Sequence, residues 1–403
     1  MAYSPRGIDY LRKKLKLKRP KVITRYKYYD MKNATFDFNI STPPELRAWN
    51  SCVGWCAKGV DSLADRLQFV GMRNDDYDIN EIFNLNNKDI FTDSAILSAL
   101  ISSCCFCYIS ADDEGFPRLQ IIDGGNATGI LDPITYLLNE GYAVLERDDH
   151  DKPVLEAHFL AGETRYYRNG KLTQRIKNAA PYPLLVPFIN RPDASREFGR
   201  SRISNSCMSL VGSALRTIKR SEVAAEFYSF PQKYATGVSD ELEMDKWRAT
   251  MSSLLTFTKD SEGESPKLGQ FQQQDMTPHL EQIKMFAALF AGEVDLTLSD
   301  LLPMEKVSSE DEIEASHENL RLKATKAQRI FGTGFLNIGY LAACLRDDHD
   351  YRREIVHQTT PIWKPVFAPS ASKIAGIGDA VYKLSQSYPD YFTEDKIFDM
   401  VGI

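Results

Sequence analysis

Two acidic segments of identical sequence, RDDHD at residues 147–151 and again at 346–350, carry residue types that can hold a divalent cation. Carboxylates with a histidine suit Mg²⁺ or Mn²⁺, which is the chemistry of a metal-dependent nuclease. The first segment lies between two strand-like runs and the second ends a long helical pattern, so exposed polar turns account for both. We therefore predict neither a metal site nor a catalytic residue in these segments.

Seven cysteines are the other candidate metal ligands. They are Cys52, Cys56, Cys104, Cys105, Cys107, Cys207 and Cys344. Four thiolates would suit zinc, but these spacings differ from those of zinc ribbons, and buried cysteine is a common small core residue. The sequence favours core packing, with the odd and clumped set kept as reduced thiols.

No motif of an enzyme is present in the chain. It contains no P-loop, HExxH, GxSxG or dinucleotide-binding fingerprint, and GTGFLNIG at residues 332–339 lacks the spacing of the last and lies inside a helical pattern. We therefore predict no cofactor and no catalytic activity.

The composition is that of a folded protein without a membrane span. The 403 residues are 43% hydrophobic, enough for two or three domains, and no run reaches the roughly 20 apolar residues of a transmembrane helix. The formal net charge of −6 argues against a protein whose main task is to bind nucleic acid. Residues 12–27 are an exception with nine Lys or Arg; they either contact phosphates or form a solvated mobile arm, and we favour the arm.

The first half of the chain has the pattern of an α+β module. Residues 43–69 show apolar residues at helical spacing, with a bend expected at Gly59. Residues 94–110 read as a helix that passes into a strand, and several short antiparallel strands follow up to residue 190. Turns with the sequences DDEG, DDHD and RNGK separate these strands.

Long amphipathic helices dominate the second half. The first is predicted over residues 202–229 with Ser201 as its cap, and the second begins at Thr277 with Pro278 in its first turn. Their apolar stripes are Ile203, Cys207, Leu210, Ala214, Ile218, Ala225 and Tyr228 on the first, and Leu280, Ile283, Ala287, Phe290 and Val294 on the second. A small α/β insert is predicted between them, over residues 239–274.

The third long helix has a nearly heptad rhythm, which predicts packing against other helices. It opens with Ser309 and Glu312 in capping-box spacing, and a kink is expected at Gly332 and Gly334. Its stripe holds Ile313, His317, Leu320, Ala324, Ala327, Phe331, Phe335, Ile338, Ala342 and Leu345. His317 lies on this stripe, so we predict a hydrogen-bonded packing residue and not a catalytic base.

Several segments in order resemble the portal proteins of tailed bacteriophages, of the siphophage type often called Gp6-like. The segments are VDSLADRLQFVGM at 60–72, LLVPFINRPDASREFGRSRI at 184–203, FYSFPQKYATG at 227–237, SSEDEIEASHENLRLKATKAQRIFGTGF at 308–335 and the chain from 362 to 403. Together they span roughly residues 43–403. The short C-terminal part differs from many relatives, which implies a reduced crown.

The resemblance implies an α+β portal fold with the following parts. They are a basic N-terminal arm (1–42), a wing (43–201), stem helix 1 (202–229), a clip (230–276), stem helix 2 (277–296), a channel or tunnel loop (297–308), a long kinked wing helix with its return (309–366) and a short crown (367–403). GRSR at 199–202 is then the corner that launches stem helix 1, with Gly199 allowing the turn.

The resemblance also implies a ring, usually of about twelve copies, at one capsid vertex. Double-stranded DNA passes through its channel without sequence specificity, during packaging and during ejection. Lys306 is the candidate for a weak phosphate contact, with Asp300 and Glu305 as acidic neighbours, although Lys306 could equally pair only with a carboxylate. The candidate interface residues on stem helix 1 are Arg200, Arg202, Arg216, Lys219 and Arg220.

Further partners implied by the resemblance are the terminase, a head–tail adaptor, the major capsid protein and a scaffold protein. No membrane is involved, and the ring is assembled in the host cytoplasm before it enters the virion. Two alternatives stay open from the residues: another structural virion protein such as a head-completion component, and a metal-dependent nuclease.

Overall fold

The computed structural model describes residues 4–33, 51–229, 233–236, 267–270, 275–302, 315–356, 358–367 and 371–387. Helices and strands are mixed throughout these ranges, which confirms the predicted α+β class. None of the described helices is both long and apolar enough to cross a lipid bilayer.

The elements are numbered here in chain order. The helices are α1 (Ile8–Tyr29), α2 (Trp55–Ala64), α3 (Ile79–Leu85), α4 (Lys88–Ser102), α5 (Asn205–Ser229), α6 (Thr277–Val294), α7 (Leu298–Leu301), α8 (Glu318–Arg346), α9 (Arg353–Val356) and α10 (Ala371–Ser387). The strands are β1 (Phe69–Arg73), β2 (Cys104–Ala111), β3 (Pro117–Ile122), β4 (Ala127–Leu131), β5 (Leu138–Arg147), β6 (Pro153–Leu160), β7 (Glu163–Arg168), β8 (Lys171–Lys177), β9 (Leu185–Ile189), β10 (Lys233–Thr236), β11 (Lys267–Gln270) and β12 (Thr360–Trp363).

Two antiparallel sheets form the body of the first half. One has the order β3-β2-β9, and the other is a five-stranded meander from β4 to β8. The predicted passage from a helix into a strand is confirmed at α4 and β2, and the alternating segments that follow are the strands of the meander. The central strand β2 is fully covered at Cys104, Cys105 and Cys107, so these cysteines pack in the core as predicted.

Helix α8 runs through the centre of the hydrophobic core. Phe331 and Phe335 lie against Phe188 of β9, with ring centroids 4.6 and 4.7 Å apart. The predicted stripe is buried from Leu320 to Ala342, and between Phe331 and Cys344 the helix is buried on almost every side. Helix α8 continues without a break through Gly332 and Gly334, and the expected kink there stays a prediction. A Cβ on Gly334 would stand 2.5 Å from the Phe188 ring, so this glycine lets the helix approach the strand.

The basic N-terminal segment is not the mobile arm that the sequence favoured. Residues 8–29 form α1, which packs on α4 and on the five-stranded sheet and buries Leu11, Leu15 and Val22. These three residues have the spacing of one helical face. The lysines and arginines between them make the segment strongly basic, so its composition does not reveal this apolar face. The interpretation as a solvated arm is therefore wrong for α1.

The helix predicted over 43–69 is much shorter in its described part. Helix α2 covers Trp55–Ala64 without ending at Gly59, and Phe69 already belongs to β1. Strand β1 pairs antiparallel with β12, with Phe69 opposite Trp363. Since this partner strand is almost 300 positions away in the sequence, no local pattern could reveal it. Residues 43–50 lie outside the described residues.

Other predictions fall largely outside the described residues. Of the insert predicted over 239–274, the structure describes β11, which pairs antiparallel with β10 just before the insert. The capping box at Ser309 and Glu312 lies outside the description, as does the part of the last segment beyond Ser387.

Candidate interface on helices α5 and α6

A tight corner sets the start of α5. Gly199 has φ 67°, and a Cβ there would lie 2.0 Å from the carbonyl oxygen of Asn190. The Arg200 N–H donates to this Asn190 oxygen at 2.9 Å, and the Asn190 side-chain amide donates back to the Arg200 carbonyl at 2.7 Å. Only glycine fits such a position without strain. The predicted turn at Gly199 is therefore confirmed.

The N-cap of α5 is Ser204 and not the predicted Ser201. Cys207 occupies the N3 position of the helix, and its N–H donates a hydrogen bond to the hydroxyl of Ser204 at 3.1 Å. Ser201 is buried and donates to the carbonyl of Ile101 at 2.6 Å. Serine is a favourable N-cap residue, so Ser201 and Ser204 both fit by type. Ser204 caps the helix because Ser201 is bound to the end of α4 instead.

Arg200 and Arg202 bind within the chain. Arg200 forms an ion pair with Asp193, with Nη2 2.6 Å from Oδ2, and the Ser195 hydroxyl and Arg200 together lower the pKa of Asp193. The Arg202 guanidinium donates to the carbonyls of Gly59 and Val294 and so joins α2 and α6 to the corner. Burial lowers the pKa of Arg202 to about 10.

The other three predicted interface residues lie further along α5. Arg216 is half-buried and donates to the Ser213 hydroxyl at 3.0 Å, whereas Arg220 is exposed. Lys219 is 8% exposed and has interaction partners within the chain. The structure therefore directs Arg220 and part of Arg216 outward. An intersubunit role for any of the five residues stays a prediction.

Helices α5 and α6, which flank the insert in the sequence, pack against each other in an antiparallel pair. We call the buried apolar residues of this pair the seam. On α5 the seam holds Val211, Ala214 and Leu215, and on α6 it holds Ala287 and Phe290. Polar contacts flank the seam: the Thr217 hydroxyl donates to Gln282 Oε1, and the Ser204 hydroxyl donates to Glu293 Oε1, each at 2.9 Å. The pair is thus held together along most of its described length.

Helix α6 also has a second apolar face, which the chain leaves open to solvent. Met285 and Leu289 are 50% and 55% exposed and lie one turn apart on this face. Ala288 and Gly292 are exposed on the same side of the helix. We call Met285, Ala288, Leu289 and Gly292 the outer face of α6. Leu280 has the spacing of the other side, with Ala287 and Val294, but it is 57% exposed, so its predicted burial is wrong.

The outward side of α5 differs from the outer face of α6, because small residues occupy its first half. Ser206 and Ser209 are exposed, and a Cβ on Gly212 would meet no atom within 4 Å. Arg216 and Arg220 follow on the same side. A row of small residues lets another helix approach closely, whereas the outer face of α6 offers large side chains to insert. One chain thus carries two unlike surfaces, one of small residues and one with large apolar side chains.

The segment after α6 holds Asp300, one of the predicted channel residues. Asp300 closes a capping box with Thr297 at the start of α7, and its Oδ2 lies 3.0 Å from Nε2 of His317. Burial raises the pKa of Asp300, but hydrogen bonds from Thr297 and His317 outweigh it and lower that pKa overall. His317 is therefore a hydrogen-bonded residue, as predicted. Glu305 and Lys306 lie outside the described residues.

No described residues bring together three or more His, Cys, Asp or Glu side chains in a way that could hold a metal ion. The two RDDHD segments form exposed turns, one between β5 and β6 and one after α8. The outer face of α6 was missed at the sequence level. Its signal was present, because Met285, Ala288 and Leu289 make α6 apolar on more than one side.

The chain is similar to two curated portal proteins. It is 22% identical to the portal protein of Mycobacterium phage L5 over 381 residues, which cover 89% of this chain and 77% of that protein. It is 23% identical to the portal protein of Mycobacterium phage D29 over 386 residues, with the same two coverages. The resemblance inferred from the sequence is thereby confirmed. No model of a known protein family matches the chain.

Solved structures of phage-like particles also align with the chain. A chain from the virion of the native gene transfer agent particle aligns with a TM-score of 0.44 at 10% identity, covering 87% of this chain and 89% of that one. A chain from the neck of the native particle, computed with C12 symmetry, aligns with a TM-score of 0.44 at 11% identity and the same coverages.

Proposed function

We infer that this chain, a homologue of mycobacteriophage portal proteins, is itself a portal protein, which forms the channel at the head–tail connection of a virion. The observation that carries this inference is the similarity to the L5 portal protein along 89% of the chain. The same similarity supports a structural role without catalysis.

Copies of the chain form a closed ring, for which about twelve members are expected. A ring needs a heterologous contact, in which one surface of each copy meets a different surface of the next. The outer face of α6 and the small-residue side of α5 supply two such surfaces, and apolar area of this kind on a soluble chain marks a contact with another protein. Arg216 and Arg220 lie where they could pair with carboxylates across this contact.

The channel function follows from the ring and from the charge. Each copy has a net charge of −6, so a ring repels phosphates on average and lets DNA slide without tight binding. Lys306 supplies a weak phosphate contact near Asp300 and Glu305 in this proposal. The terminase, a head–tail adaptor, the major capsid protein and a scaffold protein are its protein partners, and assembly takes place in the host cytoplasm.

The test is the mass and shape of the purified assembly. Native mass spectrometry should give about twelve times the mass of the 45.7 kDa chain, and negative-stain images should show rings with a central hole. A chain that stays monomeric across protein concentrations and salt conditions, with a folded circular dichroism spectrum, would exclude the portal function. A Mg²⁺-dependent cut in plasmid DNA would support the nuclease alternative instead.

A further inference from the structure

Helix α1 is fixed to the five-stranded sheet by two buried carboxylates. Glu140 of β5 is fully buried and accepts hydrogen bonds from the backbone N–H groups of Arg6 and Gly7, at 2.8 and 2.9 Å. Glu140 also lies 2.7 Å from Nε2 of His158 on β6. A buried carboxylate is costly unless it is satisfied in this way, so the residues that lead into α1 are held in one place.

The second carboxylate, Glu156 of β6, holds the first turn of α1. Arg12 donates to both of its oxygens, from Nε at 2.9 Å and from Nη2 at 2.7 Å, and the Tyr142 hydroxyl donates to one of them. The hydrogen bonds from Arg12 to Glu156 raise the pKa of this arginine. With Leu11 and Leu15 buried against the sheet, α1 is a rigid part of the surface.

The basic residues of α1 divide into two groups. One group binds the chain itself: Lys14 donates to the carbonyl of Gly129, Lys18 lies 2.8 Å from Cys104 Sγ, Arg19 pairs with Asp151, and Arg25 donates to the carbonyl of Ser102. The other group comprises Lys13, Lys16, Lys21 and Lys27, which are exposed. Within the described ranges, these four lysines make no hydrogen bond or ion pair. They follow one face of α1 over about 21 Å.

Edge strand β8, at the far side of the sheet from β4 and β5 on which α1 packs, adds basic residues on the same face of the sheet. Arg175 of β8 lies opposite Arg165 of β7, which lies opposite His158 of β6, so all three side chains share the face that α1 covers. Lys177 is two residues further on the same face, and every residue of β8 is exposed. Arg165 is paired with Glu163 at 2.8 Å. We call Lys13, Lys16, Lys21, Lys27, Arg175 and Lys177 the basic surface.

The charge of this region is opposite to that of the rest of the chain. Residues 1–33 hold eleven Lys or Arg against two Asp or Glu, a net +9, which leaves a net −15 for the other residues of a chain at −6. The large apolar side chain at the centre of the face, Leu17, is 78% exposed, but Lys13, Lys16 and Lys21 surround it. A convex row of lysines suits the evenly spaced charges of a phosphate backbone better than it suits an apolar protein contact.

We propose that the basic surface binds the phosphates of double-stranded DNA on the outside of the assembly, separately from the channel. The biological setting rests on the proposed portal function, because packaged DNA would then surround the capsid side of the ring. Unpaired lysines on a rigid helix make non-specific contacts that position DNA without reading its bases. The binding is weak and strongly dependent on salt.

Closed circular double-stranded DNA is the decisive probe, because it cannot thread through a closed ring. We expect the wild-type assembly to retard this DNA in a gel-shift titration at about 50 mM salt and to release it by about 200 mM. The variant Lys13→Glu/Lys16→Glu/Lys21→Glu should lose about tenfold or more in affinity. Each lost phosphate contact should also flatten the plot of log K against log salt by about 0.9.

A matched control carries the same charge change elsewhere. The variant Lys326→Glu/Lys364→Glu/Lys383→Glu alters three other exposed lysines and should bind circular DNA like the wild type. The proposal fails if the two triple variants bind equally, or if the wild-type assembly ignores circular DNA at low salt; the second outcome would assign the basic surface to an acidic protein. Native mass spectra of all variants distinguish failure of this proposal from failure of the portal function. Rings that form but do not bind circular DNA would exclude only the DNA-binding role of the basic surface.

Discussion

Helices α1 and α6 differ in which of their faces the chain itself covers. Helix α1 buries Leu11, Leu15 and Val22 within its own chain and turns a mostly basic face outward, whereas α6 buries one apolar face and leaves another exposed with Met285 and Leu289. The N-terminal region is therefore complete within one chain. In the proposed ring, further chains cover the outer face of the helical hairpin. In the two proposals, charge governs the contacts of the first region, and apolar area governs those of the second.

The largest expected effect comes from charging the outer face of α6. We expect Met285→Glu/Leu289→Glu to abolish rings while the single chain stays folded, because two carboxylates would be buried without partners at the contact. Size-exclusion chromatography with light scattering measures the loss. The neighbouring Phe290→Ala is the control: it faces inward, so it should cost about 3–5 kcal/mol in the free energy of unfolding. If the double variant still forms rings, α6 is not the interface.

Gly199 forms the corner that precedes α5, and a substitution there tests whether this close backbone approach sets the start of the helical hairpin. Gly199→Ala places a Cβ against the Asn190 carbonyl at positive φ, and we expect a loss of about 3 kcal/mol in the free energy of unfolding. Gly170→Ala has a similar φ of 76° but open space, so it should cost about 1 kcal/mol. Urea denaturation compares the two, and equal losses would contradict the close approach at Gly199.

The attachment of α1 can be weakened without touching its outward lysines. Arg12→Met removes the donor to Glu156, and we expect a loss of about 1.5–3 kcal/mol because a buried carboxylate loses a charged hydrogen-bond partner. Limited proteolysis should then cleave the N-terminal segment faster. Lys16→Met is the matched change, since Lys16 is exposed and makes no hydrogen bond or ion pair within the described ranges, and it should leave the cleavage rate nearly unchanged.

The smallest effect is a dependence of stability on pH through His158. Burial lowers the pKa of His158 below its ordinary value, although Glu140 acts in the opposite direction. As the pH falls below about 6.5, the unfolded chain binds the proton first, so the free energy of unfolding should decrease there and level off below the folded pKa. In His158→Gln this part of the dependence should vanish from urea titrations. An unchanged pH profile would show that His158 is not its source.

Local patterns predicted many elements correctly. Alternating residues predicted the strands of the meander, Thr277 followed by Pro278 predicted the start of α6, and the spacing of three and four predicted the buried stripe of α8. Such features depend on side chains that are neighbours along the element, so they are visible in the sequence. The cap of α5 was placed three residues early, because Ser201 and Ser204 are equally good caps by type.

What local patterns could not predict were the contacts between distant segments. The pairing of Phe69 with Trp363 ended α2 early, and Glu140 and Glu156 turned a basic stretch into a docked helix. Prediction of the outer face of α6 requires both the local pattern and the contacts between distant segments. Its apolar residues were visible in the sequence, but which of its two apolar sides the chain covers depends on where α5 lies.

The sequence by itself determined the mixed α and β class, the long amphipathic helices and the resemblance to portal proteins, because each of these depends on residue type and spacing along the chain. The tertiary structure alone decided which charges are satisfied internally and which face outward. Burial and hydrogen bonding are properties of surroundings that segments far apart in the sequence create together. For this reason Arg12 and Lys13, adjacent in a run of basic residues, have opposite environments: one binds a buried carboxylate, and the other is exposed.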